Sequence, residues 1–500
     1  MNQYFIEISV ALGMLLLIWN CFEVGRNDAA NLVNAVFGSR VMKRKTAVYL
    51  AGVFVVLGST FASPVMDTVR KGIFNPELMT AVMLICLFIG SYLVGTVLLY
   101  SYSAFGMPVS TTATLVFCLA GGALGVAGTS DVINWPTFSK VLMAIVLSVF
   151  LSGVAGFMVQ RIFRGAVRDN GDDHTTILLH GPWITGLMLT ALSWFMLMKG
   201  LKGIPAVKAF KAAVMEQYGT VPVLLVYWAF LTLLVHLVLT MIPREKTKYL
   251  FHWTAIFGMC CLAFAFGQND LANAASPGLA SFFIWKEGLT SSVDIPRWAL
   301  FFCGFLIYLG MGTKKAQRVT RAEVNVASQH DSVELYAPEW CKKLGGLFIK
   351  KGEKTLSPPP ALNENMKKIH YDPLRASVIM AVSASVIAFA SGMGIPVSTT
   401  YVGFAAVLST GWGDKVFAGG DSEKKAGRAI WVIFCWFLGG GIAMLAASIV
   451  AKMIFSWKLI GLAIAVAANL TARWYFDKRS EAHEMKYHKS DSEPLATESN

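Results

Sequence analysis

Two polar motifs, each occurring twice inside apolar segments, constrain this sequence most. Gly-Arg-Asn-Asp-Ala-Ala-Asn at 25–31 returns as Gly-Gln-Asn-Asp-Leu-Ala-Asn at 267–273. Gly-Met-Pro-Val-Ser-Thr-Thr at 106–112 returns as Gly-Ile-Pro-Val-Ser-Thr-Thr at 394–400. An ionisable residue inside a membrane span is costly and usually functional. Matching polar elements in two halves therefore predict one site at the interface between two structural repeats.

The composition is that of a polytopic membrane protein. The 500 residues are 55% hydrophobic and only 15% charged. Apolar stretches of about 18 or more residues, long enough to span a bilayer, recur at 77–100, 137–160, 221–242, 429–453 and 458–475. We predict an all-α fold with roughly 10–13 membrane segments. The eight cysteines are scattered without metal-ligand spacing, and no cofactor is predicted.

The apolar and polar segments divide the chain into five parts. We predict a first transmembrane repeat at 1–165, a linking transmembrane pair at 166–249 and a second repeat at 250–475. The second repeat carries a polar cytoplasmic insertion at 314–374, and residues 476–500 read as a disordered cytoplasmic tail. The insertion explains why Asn27 and Ser110 are 83 positions apart whereas Asn269 and Ser398 are 129 apart. It can be a solvated tether or a regulatory segment.

The positive charges lie in short clusters beside the apolar spans. The net charge is +13, and three of the clusters are Arg40 to Lys45, Arg161 to Arg168 and Arg244 to Lys248. This pattern is typical of cytoplasmic loops and disfavours nucleic-acid binding. The basic clusters fall on one side if each Pro-Val-Ser-Thr-Thr region is a broken, re-entrant-type hairpin with one net crossing. That arrangement predicts inverted repeats with the N-terminus outside and the C-terminus inside.

The Asn-Asp-x-x-Asn element offers a site for a hard cation. On a helix Asn27 and Asn31 lie one turn apart on one face, with Asp28 beside them. Amide and carboxylate oxygens suit hard cations, and the upstream glycine would let the helix loosen and free further carbonyls. A buried acid can also carry a proton. The predicted ligands of Na⁺, or of the proton, are Asn27, Asp28, Asn31, Asn269, Asp270 and Asn273. The alternative is that these residues only bond packed helices together.

The Gly-x-Pro-Val-Ser-Thr-Thr element predicts an anion site at a helix start. Proline interrupts a helix, and serine or threonine caps the helix that begins after it. The free N–H groups and the dipole of that helix would favour an anion inside the membrane. Hydroxyl groups can donate to a tetrahedral anion, although they can instead merely cap a kinked helix. No hydrolase or kinase motif accompanies these elements, and we predict that the chain is not an enzyme.

The four motifs together resemble the inorganic phosphate transporter (PiT) family of sodium- or proton-coupled phosphate permeases. The resemblance covers both halves, and it implies that phosphate or the coupling ion contacts Asn27, Asp28, Ser110, Thr111, Thr112, Asn269, Asp270, Ser398, Thr399 and Thr400. The family pattern has alanine where this chain has Arg26 and Gln268, and often histidine where it has Ala113 and Tyr401. For Arg26 we consider a direct substrate contact, a pair with Glu23, or an extension of its side chain to the membrane interface.

The resulting hypothesis is a secondary symporter that imports inorganic phosphate by alternating access, driven by Na⁺ or H⁺. A symporter of another tetrahedral oxyanion, such as sulfate, is the first alternative. A non-transporting membrane anion sensor is the second. The expected partners are phosphate, the coupling cation and the lipid bilayer, with no nucleic acid and with homodimerisation left open. The expected location is the bacterial inner membrane.

Overall fold

Helices form nearly all of the described chain. The structure is a computed structural model that describes residues 2–62, 72–168, 171–201, 204–288, 295–326, 328, 337–348, 369–414 and 422–491. The first half contains α1 (Asn2–Gly38), α2 (Arg44–Ser59), α3 (Ala81–Ala104), α4 (Thr111–Ala127) and α5 (Trp135–Val167). The long segment between the halves contributes α6 (His174–Phe195) and α7 (Thr220–Met241).

The second half repeats this succession with two added helices. It contains α8 (Leu250–Glu287), α9 (Arg297–Met311), α10 (Lys314–Val326), α11 (Glu339–Phe348), α12 (Pro373–Gly392), α13 (Thr399–Gly413) and α14 (Ser422–Asp491). Helices α10 and α11 belong to the insertion and have no counterpart among the described residues of the first half. The rest of the insertion that we predicted, at 349–368, lies outside the described residues.

Within the described ranges, eight helices are long and apolar enough to cross a membrane, and α4 and α9 are shorter apolar helices. Helix α14 bends sharply at Lys458, where φ is 50°. Its two arms fold back on each other, because Gly461 lies against the carbonyl of Met453. Eight long helices, the two shorter ones and one more for the second arm of α14 give eleven segments. This number lies within the predicted range of roughly 10–13, and the polytopic all-α fold is confirmed.

The two motif helices run antiparallel. Along their contact, residue numbers rise on α1 while they fall on α8: Gly13 faces Ser281, and Leu17 faces Gly278. The amide of Asn20 then donates to the carbonyl of Ala274 at 3.0 Å. Equivalent helices of the two halves therefore point in opposite directions, as the inverted-repeat prediction requires.

The motif glycines serve close packing rather than helix opening. A Cβ atom at Gly25 would lie 1.8 Å from the carbonyl oxygen of Ile307 on α9, and one at Gly267 would lie 2.3 Å from that of Val55 on α2. Only glycine allows helices to approach this closely. The expectation that these glycines loosen the helix is wrong, since α1 and α8 continue unbroken through both motifs. Of the four motifs, the two that contain proline are the ones at which a helix ends and another begins.

One end of the molecule, here named the basic face, gathers the three basic clusters. Arg164 pairs with Asp414 and Asp372, and the backbone N–H of His370 donates to the carbonyl of Gly38 at 2.9 Å. His174, at the start of α6, contacts Thr247. The C-terminal end of α1 and the N-terminal ends of α8 and α12 therefore lie together at this face.

The C-terminal region differs from the expected disordered tail at 476–500, because α14 continues as a helix to Asp491. Lys315 of α10 pairs with Asp477, and Arg318 donates to the hydroxyl of Ser480 at 3.4 Å. These bonds to the insertion hold the first turns beyond 475 in place. Residues 492–500 lie outside the described chain.

Candidate functional site

Two hairpin tips meet between the halves. Gly106 and Gly394 adopt positive φ values of 65° and 70°, which reverse the chain without a side-chain clash. Helix α4 then begins with Ser110 as its N-cap, whose hydroxyl accepts from the N–H of Ala113. Helix α13 begins in the same way with Ser398, which accepts from the N–H of Tyr401. The predicted serines therefore cap the helices, as both interpretations of this motif expected.

Threonines tie the two tips to each other. The hydroxyl of Thr112 donates to the carbonyl of Val397 at 2.8 Å, and that of Thr400 lies 3.2 Å from the carbonyl of Val109. The same two carbonyls accept from the motif asparagines, Asn27 at 2.6 Å and Asn269 at 2.8 Å. Both hairpins and both motif helices thus converge on one region of the molecule.

Asp28 is held by residues of both halves. Its Oδ1 atom accepts from Asn27 at 3.1 Å, from Asn31 at 3.0 Å and from the hydroxyl of Thr400 at 2.7 Å. Asn31 also contacts Thr400, at 3.2 Å. The carboxyl group is fully buried. The threonine comes from the second repeat, so the site is complete only when both repeats are packed together.

Asp270 repeats this pattern with the halves exchanged. It accepts from Asn269 at 3.2 Å, from Asn273 at 3.0 Å and from the hydroxyl of Thr111 at 2.8 Å. Asn273 also donates to Thr112, at 2.6 Å. Asp270 is fully buried as well. Each aspartate therefore contacts a threonine of the opposite hairpin.

Several oxygen atoms of the site remain available to a ligand. Four buried oxygens have no hydrogen-bond partner among the described residues, namely Asp28 Oδ2, Asn31 Oδ1, Asn273 Oδ1 and Thr399 Oγ1. Neither aspartate forms an ion pair within the described part of the chain. Two buried carboxylates without a protein cation are costly unless a cation or a proton accompanies them. Carboxylate, amide and hydroxyl oxygens form the donor set that suits a hard cation.

The two helix starts present backbone N–H groups that can hold an anion. The N–H groups of Thr111 and Thr112 precede the first backbone hydrogen bond of α4, which Thr114 donates to Ser110. Those of Thr399 and Thr400 precede the equivalent bond from Val402 to Ser398. Each helix dipole adds partial positive charge at these groups. The geometry thus sets anion-binding N–H groups beside the oxygens that a cation requires.

A small cavity lined by both polar and apolar residues adjoins the site on the side of α1 and α3. Its lining includes Asn20, Ser91, Tyr92, Thr111 and Asn273. Thr111 and Asn273 are also the residues that hold Asp270. The cavity lies toward the end of α1 opposite the basic face, because Asn20 precedes the motif on a helix that ends at that face. It indicates the side from which the aspartates are approached in this arrangement.

The residues that depart from the family pattern have defined partners. Arg26 pairs with Glu23 at 3.0 Å, the second of the three roles considered for it. Gln268 donates to the carbonyl of Gly200 at 2.7 Å. Ala113 is buried, and Tyr401 stacks on Trp436 with ring centroids 3.8 Å apart. None of these four side chains contacts Asp28 or Asp270 in the described hydrogen bonds.

Sequence reasoning missed several residues that shape the site. Trp436 donates from its indole nitrogen to the carbonyl of Pro108 at 3.2 Å, and so supports the first hairpin tip. Ser103 donates to Asn27 at 3.3 Å. Nothing local in the sequence marks either residue. Asn34 was also missed, although it is a polar residue one turn beyond Asn31 in an apolar run, which is a visible signal.

Comparisons with known proteins agree with these motifs. A profile described as the phosphate transporter family matches residues 24–322. A candidate phosphate permease of Thermococcus kodakarensis is 27% identical over 454 residues, which cover 90% of this chain and 97% of that protein. One from Helicobacter pylori strain J99 is 26% identical over 418 residues, covering 80% of this chain and 69% of that protein.

A solved structure supports the fold. That protein, described as "The sodium-dependent phosphate transporter", has a TM-score of 0.66 and 21% identity, covering 89% of this chain and all of that one. At this identity the likeness concerns the fold. The family profile spans more than half of the present sequence, includes both motifs of the first half, and extends through the second Asn-Asp-x-x-Asn motif. The chain therefore belongs to the phosphate transporter family.

Proposed function

We propose that this integral membrane protein imports inorganic phosphate by symport with Na⁺. The observation that carries the proposal is the crossed pair of buried aspartates, Asp28 and Asp270, each bonded to a threonine of the opposite hairpin. This geometry joins both repeats at one point. A cation there would neutralise buried carboxylates, and the adjacent helix starts would hold an anion.

Mutual charge compensation supports coupling between the two ligands. A phosphate anion in a buried site needs positive charge, and the site residues described above include no lysine or arginine. Sodium ions bound at Asp28 and Asp270 would supply that charge, while phosphate would lower the cost of burying the sodium ions. Each ligand would thus bind better in the presence of the other, which is the thermodynamic basis of symport.

Two observations favour sodium over the proton: the donor set, and the structural neighbour, which is described as sodium-dependent. The free oxygens of Asn31, Asn273 and Thr399 can coordinate Na⁺ but cannot bind a proton at neutral pH. Alternating access would follow from the inverted repeats, since opening one side changes how the two hairpins meet. We propose the cell membrane of a prokaryote as the location, because the relatives come from archaea and bacteria.

Uptake of labelled phosphate into proteoliposomes tests the proposal. An inward Na⁺ gradient should drive accumulation above that in empty vesicles, whereas an inward proton gradient without Na⁺ should drive little. Accumulation under the proton gradient alone would replace Na⁺ by H⁺ in the proposal. No accumulation under either gradient would overturn it.

Competition between anions in the same uptake assay shows whether the protein prefers phosphate or sulfate. Unlabelled phosphate should suppress uptake of the labelled ion, and sulfate at the same concentration should suppress it much less. Phosphate carries a proton at neutral pH and can donate to an aspartate, which sulfate cannot do. Stronger competition by sulfate would favour the alternative oxyanion. Saturable phosphate binding without flux would favour an anion sensor instead.

A further inference from the structure

A third buried carboxyl group without an ion pair among the described residues lies between the site and the basic face. Glu323 belongs to α10, a polar helix outside the candidate membrane spans. Its side chain is 1% exposed, and Asn34 of α1 donates to its Oε2 atom at 2.8 Å. Asn34 lies one turn beyond Asn31, which contacts Asp28. The distance along α1 from Asp28 to Asn34 is about 9 Å.

The surroundings of Glu323 favour its neutral form. Its Oε1 atom has no hydrogen-bond partner, and it forms no ion pair, within the described residues. An ionised carboxylate in such a place would cost several kcal/mol, as estimates for buried charges indicate. Burial accordingly raises the pKa of Glu323 to about 8. The amide of Asn34 is a neutral donor and offsets only part of this cost.

Tyr371 interacts electrostatically with Glu323, and its hydroxyl donates to the carbonyl of Asn34. The charged and titratable groups on the other neighbouring elements bond to other partners. Arg321 stands two residues before Glu323 and therefore projects from another side of α10. The others have these contacts: Arg26 with Glu23, Arg40 with the Phe37 ring, Arg44 with the Met311 carbonyl, Tyr100 and Lys315 with Asp477, Tyr102 with the Cys435 carbonyl, Arg318 with the Ala104 carbonyl, Lys425 with the Ser328 carbonyl, and Arg428 with the Gly106 carbonyl.

We propose that Glu323 is a proton-binding residue of the transport cycle, which holds a proton while α10 is packed on α1 and releases it when that contact opens toward the basic face. The proposal rests on the proposed function, because opening to each side in turn is part of alternating access. Packing of α10 covers the end of the motif helix and the first hairpin tip, where Arg318 lies beside Gly106. Once α10 separates, water reaches Glu323, and the carboxyl group ionises at neutral pH.

The motif helix of the second half, α8, has no equivalent contact among the described residues. The position that corresponds to Asn34 is Ser276, whose hydroxyl bonds to the carbonyl of Ala272 in its own helix. In the described residues no carboxyl group faces it. The proton-dependent contact therefore belongs to the basic face only, and closure of that face would depend on the pH of the solution there.

Labelling of a buried cysteine on α10 tests the proposal without transport. Val324→Cys places a thiol at a position that is 1% exposed, so a membrane-impermeant maleimide should react only when α10 separates from α1. The protein is held in nanodiscs, where both faces are open to solution. Labelling is compared between Val324→Cys alone and Val324→Cys combined with Glu323→Gln, after subtraction of the native-cysteine background. The ratio cancels the pH dependence of the thiol itself.

The ratio is the labelling rate of Val324→Cys divided by that of the variant that also carries Glu323→Gln. We expect this ratio to rise up to about tenfold between pH 7 and pH 9, because the ionised fraction of a group with a pKa of about 8 rises by that factor. A ratio that stays constant or falls overturns the proposal. The exposed Glu339, bonded to Lys342 on α11, provides the control, because Glu339→Gln should leave the ratio unchanged. If Glu323→Gln does not fold, Glu323→Asp keeps the titration and should shift its midpoint; an unshifted midpoint overturns the proposal.

Transport then separates this inference from the proposed function. In proteoliposomes the rate of sodium-driven phosphate uptake should vary with pH at the basic face in the parent protein and vary much less with Glu323→Gln. Uptake with identical pH profiles in the two proteins overturns the role of Glu323 and leaves symport intact. Absence of uptake in the parent protein overturns the proposed function, whatever the labelling shows.

Discussion

The two repeats are nearly identical at the aspartates and differ sharply one or two helical turns away. At the centre each Asp-x-x-Asn pair bonds to a threonine of the opposite hairpin, with distances that match closely between Asp28 and Asp270. In the proposed function both copies serve the same pair of ligands in the same low-dielectric interior, which accounts for the repetition of the contacts.

Outside that centre the halves carry different chemistry. The first half has a buried charge cluster in which Glu23 pairs with Arg26 at 3.0 Å and with Arg473 at 2.9 Å. The corresponding positions in the second half are Ala265 and Gln268, and Gln268 meets only a carbonyl. The motif helix of the first half also carries Asn34, which donates to Glu323 of the insertion. The comparison teaches that the two repeats share their contacts at the aspartates. The residues one or two turns away differ, because they contact different neighbouring helices in each repeat.

Replacement of either aspartate should cause the largest loss of phosphate uptake. Asp28→Asn and Asp270→Asn each remove one negative charge while retaining the shape of the side chain. We expect sodium-driven phosphate uptake to fall to the level of empty vesicles in both variants, with folding preserved in size-exclusion and thermal-melting measurements. Near-normal coupled uptake in either variant would show that the two copies are not equivalent.

The charge cluster should distinguish the halves in stability. Glu23→Gln leaves Arg26 and Arg473 without their shared carboxylate, and breaking a buried pair in this way costs roughly 3–5 kcal/mol. Gln268→Leu removes one neutral hydrogen bond and should cost about 1 kcal/mol. Thermal melting in one detergent measures both. Equal losses of stability would contradict the asymmetry of the flanks.

The crossed threonines should reveal whether both hairpins contribute equally. Thr400→Val and Thr111→Val each delete a hydroxyl that bonds to a buried carboxyl group. Such a bond to a charged group is worth about 1.5–3 kcal/mol, or roughly 10–100-fold in the sodium concentration for half-maximal uptake. Thr240→Val, on the exposed side of α7, is the matched control and should change nothing. A large effect in only one of the two variants would indicate that the sites bind sodium unequally.

The smallest effect should be a pH-dependent loss of stability at the contact between Asn34 of α1 and Glu323 of α10, which α8 lacks at Ser276. The pKa of Glu323 is raised by burial to about 8 from its usual 4.5, so the folded chain holds a proton that the unfolded chain has released. Stability is then highest below the unfolded pKa and declines as the pH rises through 8. Between pH 7 and pH 9 the loss should be about 1 kcal/mol. In thermal melts Glu323→Gln should remove this decline; an identical decline in both proteins would contradict the assignment.

Much of the fold could be predicted because its signals are local. Apolar length predicts the spans, and the doubled motifs predict two repeats. Proline followed by serine and threonine predicts the hairpin breaks, which occur at Pro108 and Pro396 as expected. The glycine before each Asn-Asp pair was misinterpreted, because a close approach to a carbonyl of another helix leaves no local mark. The extent of α14 was also missed, since its last turns depend on contacts with Lys315 and Arg318.

The sequence by itself determined the membrane character, the two repeats and the identity of the residues at the centre, since each depends on local hydropathy or on a repeated spacing. Only the tertiary structure decided that Asp28 bonds to Thr400 and Asp270 to Thr111, that Arg26 pairs with Glu23, and that Glu323 lies beside Asn34. These pairs, except Arg26 with Glu23, join residues far apart in the chain, and their distances follow from how two antiparallel repeats pack. No local pattern encodes that packing.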